Sequence, residues 1–193
     1  LYLMKTLKEQ LEIVKRNFPS LKLESINPNL EKGNALVVNW GLFSPDYLNA
    51  LKMVFGVAGI ESDLNPNFDY GFSTDKYTEN MINYGKCFGV DMDFGQSCTN
   101  VSPESFNRFH YQERQLCGAP AFMVALQLLI HPNILSHSED LSIICVADTA
   151  NNPGFREYRA SPIFYYRKGK VHFSLIGIDK SFPDCGCATL INF

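Results

Sequence analysis

No stretch of this chain of 193 residues is apolar for long enough to cross a bilayer: the longest, Ala119 to Ile130, is broken by Gln127 and falls short of the ~20 residues a span needs. An excess of one charge is also missing. Lys and Arg number 17 against 20 Asp and Glu, and the pI is near 5.8, so no chain-wide field would draw the protein to nucleic acid or an anionic membrane. Neither partner is expected. The six cysteines (87, 98, 117, 145, 185 and 187) are too sparse and too irregular for a disulfide-stapled scaffold. Reduced thiols are expected instead, in the cytoplasm or, were the chain a secreted effector, in the cytosol of a host. The opening "LYLMKTLKEQ" has no basic segment followed by an apolar one, so no signal peptide is expected in it. Internal repeats and low-complexity tracts are absent as well.

What is present is an ordinary globular composition, 46% hydrophobic and 13% aromatic, in a chain long enough to bury about 70% of its unfolded surface. Met4, Leu7, Leu11, Val14 and Phe18 recur at helical spacing and predict an amphipathic helix ending before Pro19. "ALVVNW" (35–40) predicts a strand. A helix follows in "SPDYLNALKMVFG", with Ser44 as its N-cap, Pro45 in its first turn and Gly56 as its stop. Residues 60–101 read as loop-rich, with one further helix in "TDKYTENMINYG". Ser102-Pro103-Glu104 opens a short helix, and Ala121-Phe-Met-Val-Ala-Leu is apolar on every face, as a helix in the middle of a domain is. "LSIICVAD" (141–148), the pair "SPIFYYR-KG-KVHFSLIGI" joined by a tight turn, and "CATLINF" predict strands. The pattern is α+β, one buried helix against an antiparallel sheet of three or more strands.

The chemistry centres on "QLCGAPAFMVALQLLIHP". A thiol nucleophile needs thiolate character, which the N-H groups and dipole of a helix N-terminus supply. Pro120 is tolerated only near a helix start, which predicts that the helix begins close to Cys117. The nucleophile also needs a base and an orienter for that base. Of four histidines, His110 precedes the helix, and His131 and His137 follow its far end, roughly 20 Å away along the axis. His172 begins a strand and can be carried to the helix N-terminus by a sheet packed on it. Asn192, on the next apolar strand, is the candidate orienter, with Asp179 and Asp184 as competitors.

"QERQLCGAPAFMVALQLL", then "VHFSLIGID", then "ATLIN" together resemble the papain-like cysteine peptidase superfamily over about residues 108–193. The phytochelatin-synthase-like, bacteriocin-processing and effector glutamine-deamidase members are the most similar. The resemblance implies a buried central helix opened by the nucleophile Cys117, packed on an antiparallel sheet, with His172 as base, Asn192 fixing its tautomer and Gln112, or Gln115, stabilising an oxyanion. It implies a cysteine-dependent acyl-transfer enzyme, whether protease, isopeptidase, deamidase or transpeptidase, acting without a cofactor on a protein or peptide. Residues 101–193 would be the catalytic core; residues 1–100, most of them outside the resemblance, are expected to form an N-terminal α/β extension or lobe, a candidate for substrate recognition, packed with the core as one compact unit.

Plainer readings stand beside these. A cysteine in an apolar segment is more often core than nucleophile. The second hypothesis is accordingly a non-catalytic protein-binding module, with Cys117 in the core and the aromatic-rich N-terminal half as partner surface. Cys185-Gly186-Cys187 raises a third, a zinc site, although a one-residue gap is unusual for that metal. "DMDFGQS" lacks most ligands of a calcium loop and reads as a solvated turn. "RASPIFYYRKGK" reads as a hairpin with a charged tip.

Overall fold

A computed structural model of the chain describes residues 4–21, 23, 32–67, 69–74, 87–110, 117–151 and 159–191, apart from the side chains of 109 and 110. The expected helix in "TDKYTENMINYG" lies almost wholly outside them, as do Gln112, Gln115 and Asn192. Helix α1 (Leu7–Asn17) starts at Thr6, whose hydroxyl accepts from the Glu9 N-H while the Glu9 carboxylate accepts from the Thr6 N-H. Its apolar stripe of Leu7, Leu11 and Val14 is buried. Strand β1 (Ala35–Val38) follows, buried throughout.

Helix α2 (Tyr47–Ala58) begins later and ends later than the sequence predicts. Asp46, not Ser44, is the N-cap, its carboxylate accepting from Asn49 N at 2.7 Å, and Ser44 Oγ accepts from Asp46 N instead. Ser44 and Asp46 flank Pro45 as the two side chains able to cap, and the carboxylate is the stronger acceptor for an exposed helix N-H. Gly56 lies within the helix; the stop is Gly59, whose φ of 71° is a conformation open to glycine at little cost.

Two two-residue strands, β2 (Glu61–Ser62) and β3 (Ser73–Thr74), and the longer β4 (Cys87–Asp93) occupy the region read as loops. Helix α3 (Pro103–Ser105) is capped by Ser102 as expected and runs on into a π-helical stretch, Phe106–His110. Strand β5 (Cys117–Gly118) leads to helix α4 (Ala121–Ile130), of which all but Leu129 is buried. Strands β6 (Ser142–Ile144), β7 (Asp148–Asn151), β8 (Arg159–Arg167), β9 (Lys170–Gly177), β10 (Cys185–Cys187) and β11 (Thr189–Ile191) complete the described chain.

One sheet runs β1-β4-β11-β5, antiparallel throughout. In the other, β8 is central. It pairs with β9 in a hairpin turning at Lys168 and Gly169, both with positive φ, as the sequence predicts. On its other edge lie β6 and β7, while β2 extends β9 in parallel. The larger apolar cluster draws Leu11, Leu36, Leu51, Phe122, Phe164 and Phe173 from both halves of the chain. Among the described residues no helix is long and apolar enough to cross a membrane. The architecture is mixed α/β with antiparallel sheets.

Gln127, the one polar break in α4, is fully buried and ties three elements together. Its Nε2 donates to Leu36 O and Gln10 Oε1, and Gln10 Oε1 accepts from Leu36 N. At the far end of α4, His131 is also buried, and its Nε2 has no partner among the described residues. Burial, helped by the Lys5 charge, lowers its pKa to about 4. The folded imidazole is therefore neutral, whereas the unfolded one takes up a proton below about 6.5, so stability is full above that pH and falls as pH drops towards 4. We expect about 2 kcal/mol to be lost between pH 7 and pH 5. Urea midpoints at the two pH values check this, and in His131→Gln most of the difference should vanish.

Candidate functional site

The sequence places Cys117 at the first turn of the central helix; the structure places it in β5, opposite Leu190 of β11, with α4 starting only at Ala121. The reason is Pro120. A proline disfavours helical backbone in the residue before it, and its missing N-H is harmless at an N-cap. Pro120 accordingly serves as the N-cap itself with ψ of 154°, and the chain ahead of it stays extended: Ala119 N donates to Ala188 O at 2.9 Å. Cys117 is 1% exposed within the main core, and its thiol donates to Gly118 O at 3.6 Å.

The α4 N-terminus is already occupied by a carboxylate. Asp148, fully buried at the start of β7, accepts from Ala121 N at 2.7 Å, from Thr74 Oγ1 at 2.7 Å and from the Tyr47 hydroxyl, while Phe122 N donates back to Tyr47 Oη at 3.1 Å. Burial and then the Asp148 charge push the Tyr47 phenol and the nearby Cys145 thiol well above their usual range. The positive end of the helix is thus neutralised by the protein's own acid.

His172 lies on the other side of its strand. Phe173, its neighbour, packs into the core that holds Cys117 and α4, and strand alternation turns the imidazole to the opposite face. There its Nδ1 is 3.0 Å from Asp63 Oδ1, its Nε2 is 3.7 Å from Glu61 Oε2, and its ring stacks on Tyr165 at 5.5 Å. The Tyr165 hydroxyl donates to Asp63, and Arg167 and Lys170 pair with Asp63 and Glu61. Burial alone would raise the Asp63 pKa, but the bonds from Tyr165 and His172 and the neighbouring positive charges hold it below the usual carboxylate range.

The structure therefore does not bring Cys117 and His172 together. Of the expected orienters, Asp179 pairs with Lys180 and Asp184 lies beside Cys185, so the acid on His172 is Asp63. Local sequence gave no signal for it, because the β2–β9 pairing joins residues over a hundred positions apart. Asp148 had one weak signal, a lone acid closing the apolar run "LSIICVA".

The remaining motifs resolve simply. Asp93 accepts from Gly95 N, Ser97 N and Ser97 Oγ, which makes "DMDFGQS" a self-bonded turn. Among the described residues no group of His, Cys, Asp and Glu is arranged to hold a metal ion. A recess of about 270 Å³, lined by Met4, Phe94, Gln96, Ile134, Asp140, Leu141 and Ile143, shares no residue with either site. The molecule is thus a mixed α/β protein with a polar, tyrosine-lined histidine–carboxylate cluster on one sheet face. Comparison with protein-family models, curated proteins and solved structures yields no match.

Proposed function

We propose that this chain is a non-catalytic protein-binding module in which Cys117 is a core residue. One observation carries the reading: the Cys117 sulfur is buried in a strand, four residues ahead of a helix whose N-terminus Asp148 fills. We place the partner surface away from the aromatic N-terminal half, where Phe43, Phe55 and Phe72 pack against Phe122, Phe173 and Tyr47. It is the face of β8, β9 and β2 where Tyr165, Arg167, Lys170 and Glu61 are held in place by mutual pairs over His172. Tyrosine and arginine on a pre-ordered surface are the residue types that dominate protein interfaces.

The competing reading is a papain-like cysteine acyl-transfer enzyme using Cys117, His172, Asn192 and Gln112. It is favoured by the His172–Asp63 pair, a base with its orienting acid. It requires the thiol and the imidazole to meet in a conformation other than the one described. Iodoacetamide near pH 6.5 separates the two, because only an activated thiol reacts quickly there. We expect Cys117 to stay unmodified without denaturant, equally in wild type and in His172→Ala. Rapid alkylation of Cys117 that disappears in His172→Ala would overturn the module and establish the enzyme.

A further inference from the structure

Half of the cysteines share one place. Cys98, Cys185 and Cys187 lie in the smaller apolar cluster with Phe106, Ile144, Val146 and Ile163, and none is in a disulfide. Cys185 and Cys187 flank Gly186 in β10 and so face the same side of the sheet. Gly186 forms an antiparallel bridge with Thr99, which sets Cys98 directly across from Cys187 and Asn100 across from Cys185. The backbone bonds agree: Cys187 N donates to Cys98 O and Asn100 N to Cys185 O, both at 3.0 Å.

Directly opposed antiparallel residues have Cα atoms about 4.5–5.5 Å apart and side chains on one face, within the roughly 4.4–6.8 Å a disulfide spans. The Cys187 sulfur also leans over this segment, donating to Val101 O at 3.4 Å. The two backbones are pressed together next door, where a Cβ added to Gly186 would lie 2.2 Å from Gly95 O.

We propose that Cys98 and Cys187 form a redox-active pair, which a small-molecule disulfide converts to a cross-strand disulfide stapling the 95–100 turn to β10. The Cys98 thiolate attacks one sulfur of the reagent and expels a thiolate. The Cys187 thiolate then attacks the Cys98 sulfur of the mixed disulfide and expels the second. Two protein thiols are oxidised, the reagent is reduced to two thiols, and the two protons leave with them. Both thiols are buried, Cys98 at 2% and Cys187 at 0% exposure, so the reagent reaches them only as the 95–100 turn opens from β10. Burial, with Cys98 beside it, also raises the Cys187 thiol to about 12, so the exchange is slow at neutral pH and quickens as pH rises.

The test treats the whole folded protein with the disulfide of β-mercaptoethanol at about pH 8.5, followed by non-reducing peptide mapping. We expect an intact mass lower by two hydrogens, a Cys98–Cys187 cross-linked peptide, and a melting temperature several degrees higher that reductant reverses, since the bridge closes a loop of about 90 residues. Cys185→Ser should give the same cross-link. An unchanged mass, a lasting single adduct, or a bridge through Cys185 would each overturn the proposal. The wild-type map alone decides between these outcomes, however well the variant folds.

Discussion

Asp148→Ala is expected to destabilise the fold by on the order of 4 kcal/mol, measured by urea unfolding at neutral pH. The carboxylate is fully buried and accepts hydrogen bonds from Ala121 N, Thr74 Oγ1 and Tyr47 Oη. Hydrogen bonds to charged acceptors contribute about 1.5–3 kcal/mol each, and each buried donor left alone costs about 1–3 kcal/mol, partly offset by relaxation around the smaller side chain. Loss of the N-terminal acid also removes the charge that complements the α4 dipole. Tyr47→Phe, which leaves the acid with two donors but also removes the acceptor of the Phe122 N-H, should lose about 2–3 kcal/mol, less than Asp148→Ala. Equal stabilities for Asp148→Ala and wild type would show that the helix start needs no carboxylate.

Phe173→Ala should cost nearly as much, about 3–5 kcal/mol, whereas His172→Ala next to it should cost about 1 kcal/mol. Phe173 is fully buried with Phe55, Phe164 and Phe72 at ring separations of 4.9, 5.1 and 6.2 Å, so its removal opens a cavity bounded by rigid rings. His172 leaves behind an Asp63 that is still bonded by Tyr165 and partly in water. The contrast reads out directly which face of β9 meets the core. A larger loss for the histidine, in the same unfolding measurement, would reverse the face assignment on which the separation of Cys117 from His172 depends.

Features written within a few residues were legible before any coordinates. The α1 stripe, the Ser102 cap, the apolar α4 and the hairpin at Lys168-Gly169 depend on periodicity and turn chemistry, which are local. Strand β4 escaped notice because "CFGVDMD" carries a glycine and two acids. Pairing with β1 on one edge and β11 on the other supplies what its composition lacks. The same holds for the site. His172 falls near a strand start as expected, whereas Cys117, expected to open the helix, lies in a strand ahead of it, and their relation hinged on two things no spacing encodes. One is whether Pro120 opens the helix or precedes it; the other is which side of β9 the core takes.

The amino-acid order by itself determined the α+β composition, the identity of the buried helix and the hairpin turn at Lys168-Gly169, because hydrophobic period and backbone-restricted residues act over short range. Only the tertiary structure decided that Asp148 would close the helix N-terminus and that Asp63, across a parallel pairing, would hold His172. Long-range pairing is selected by the summed burial of the whole chain, so no segment carries that choice within itself.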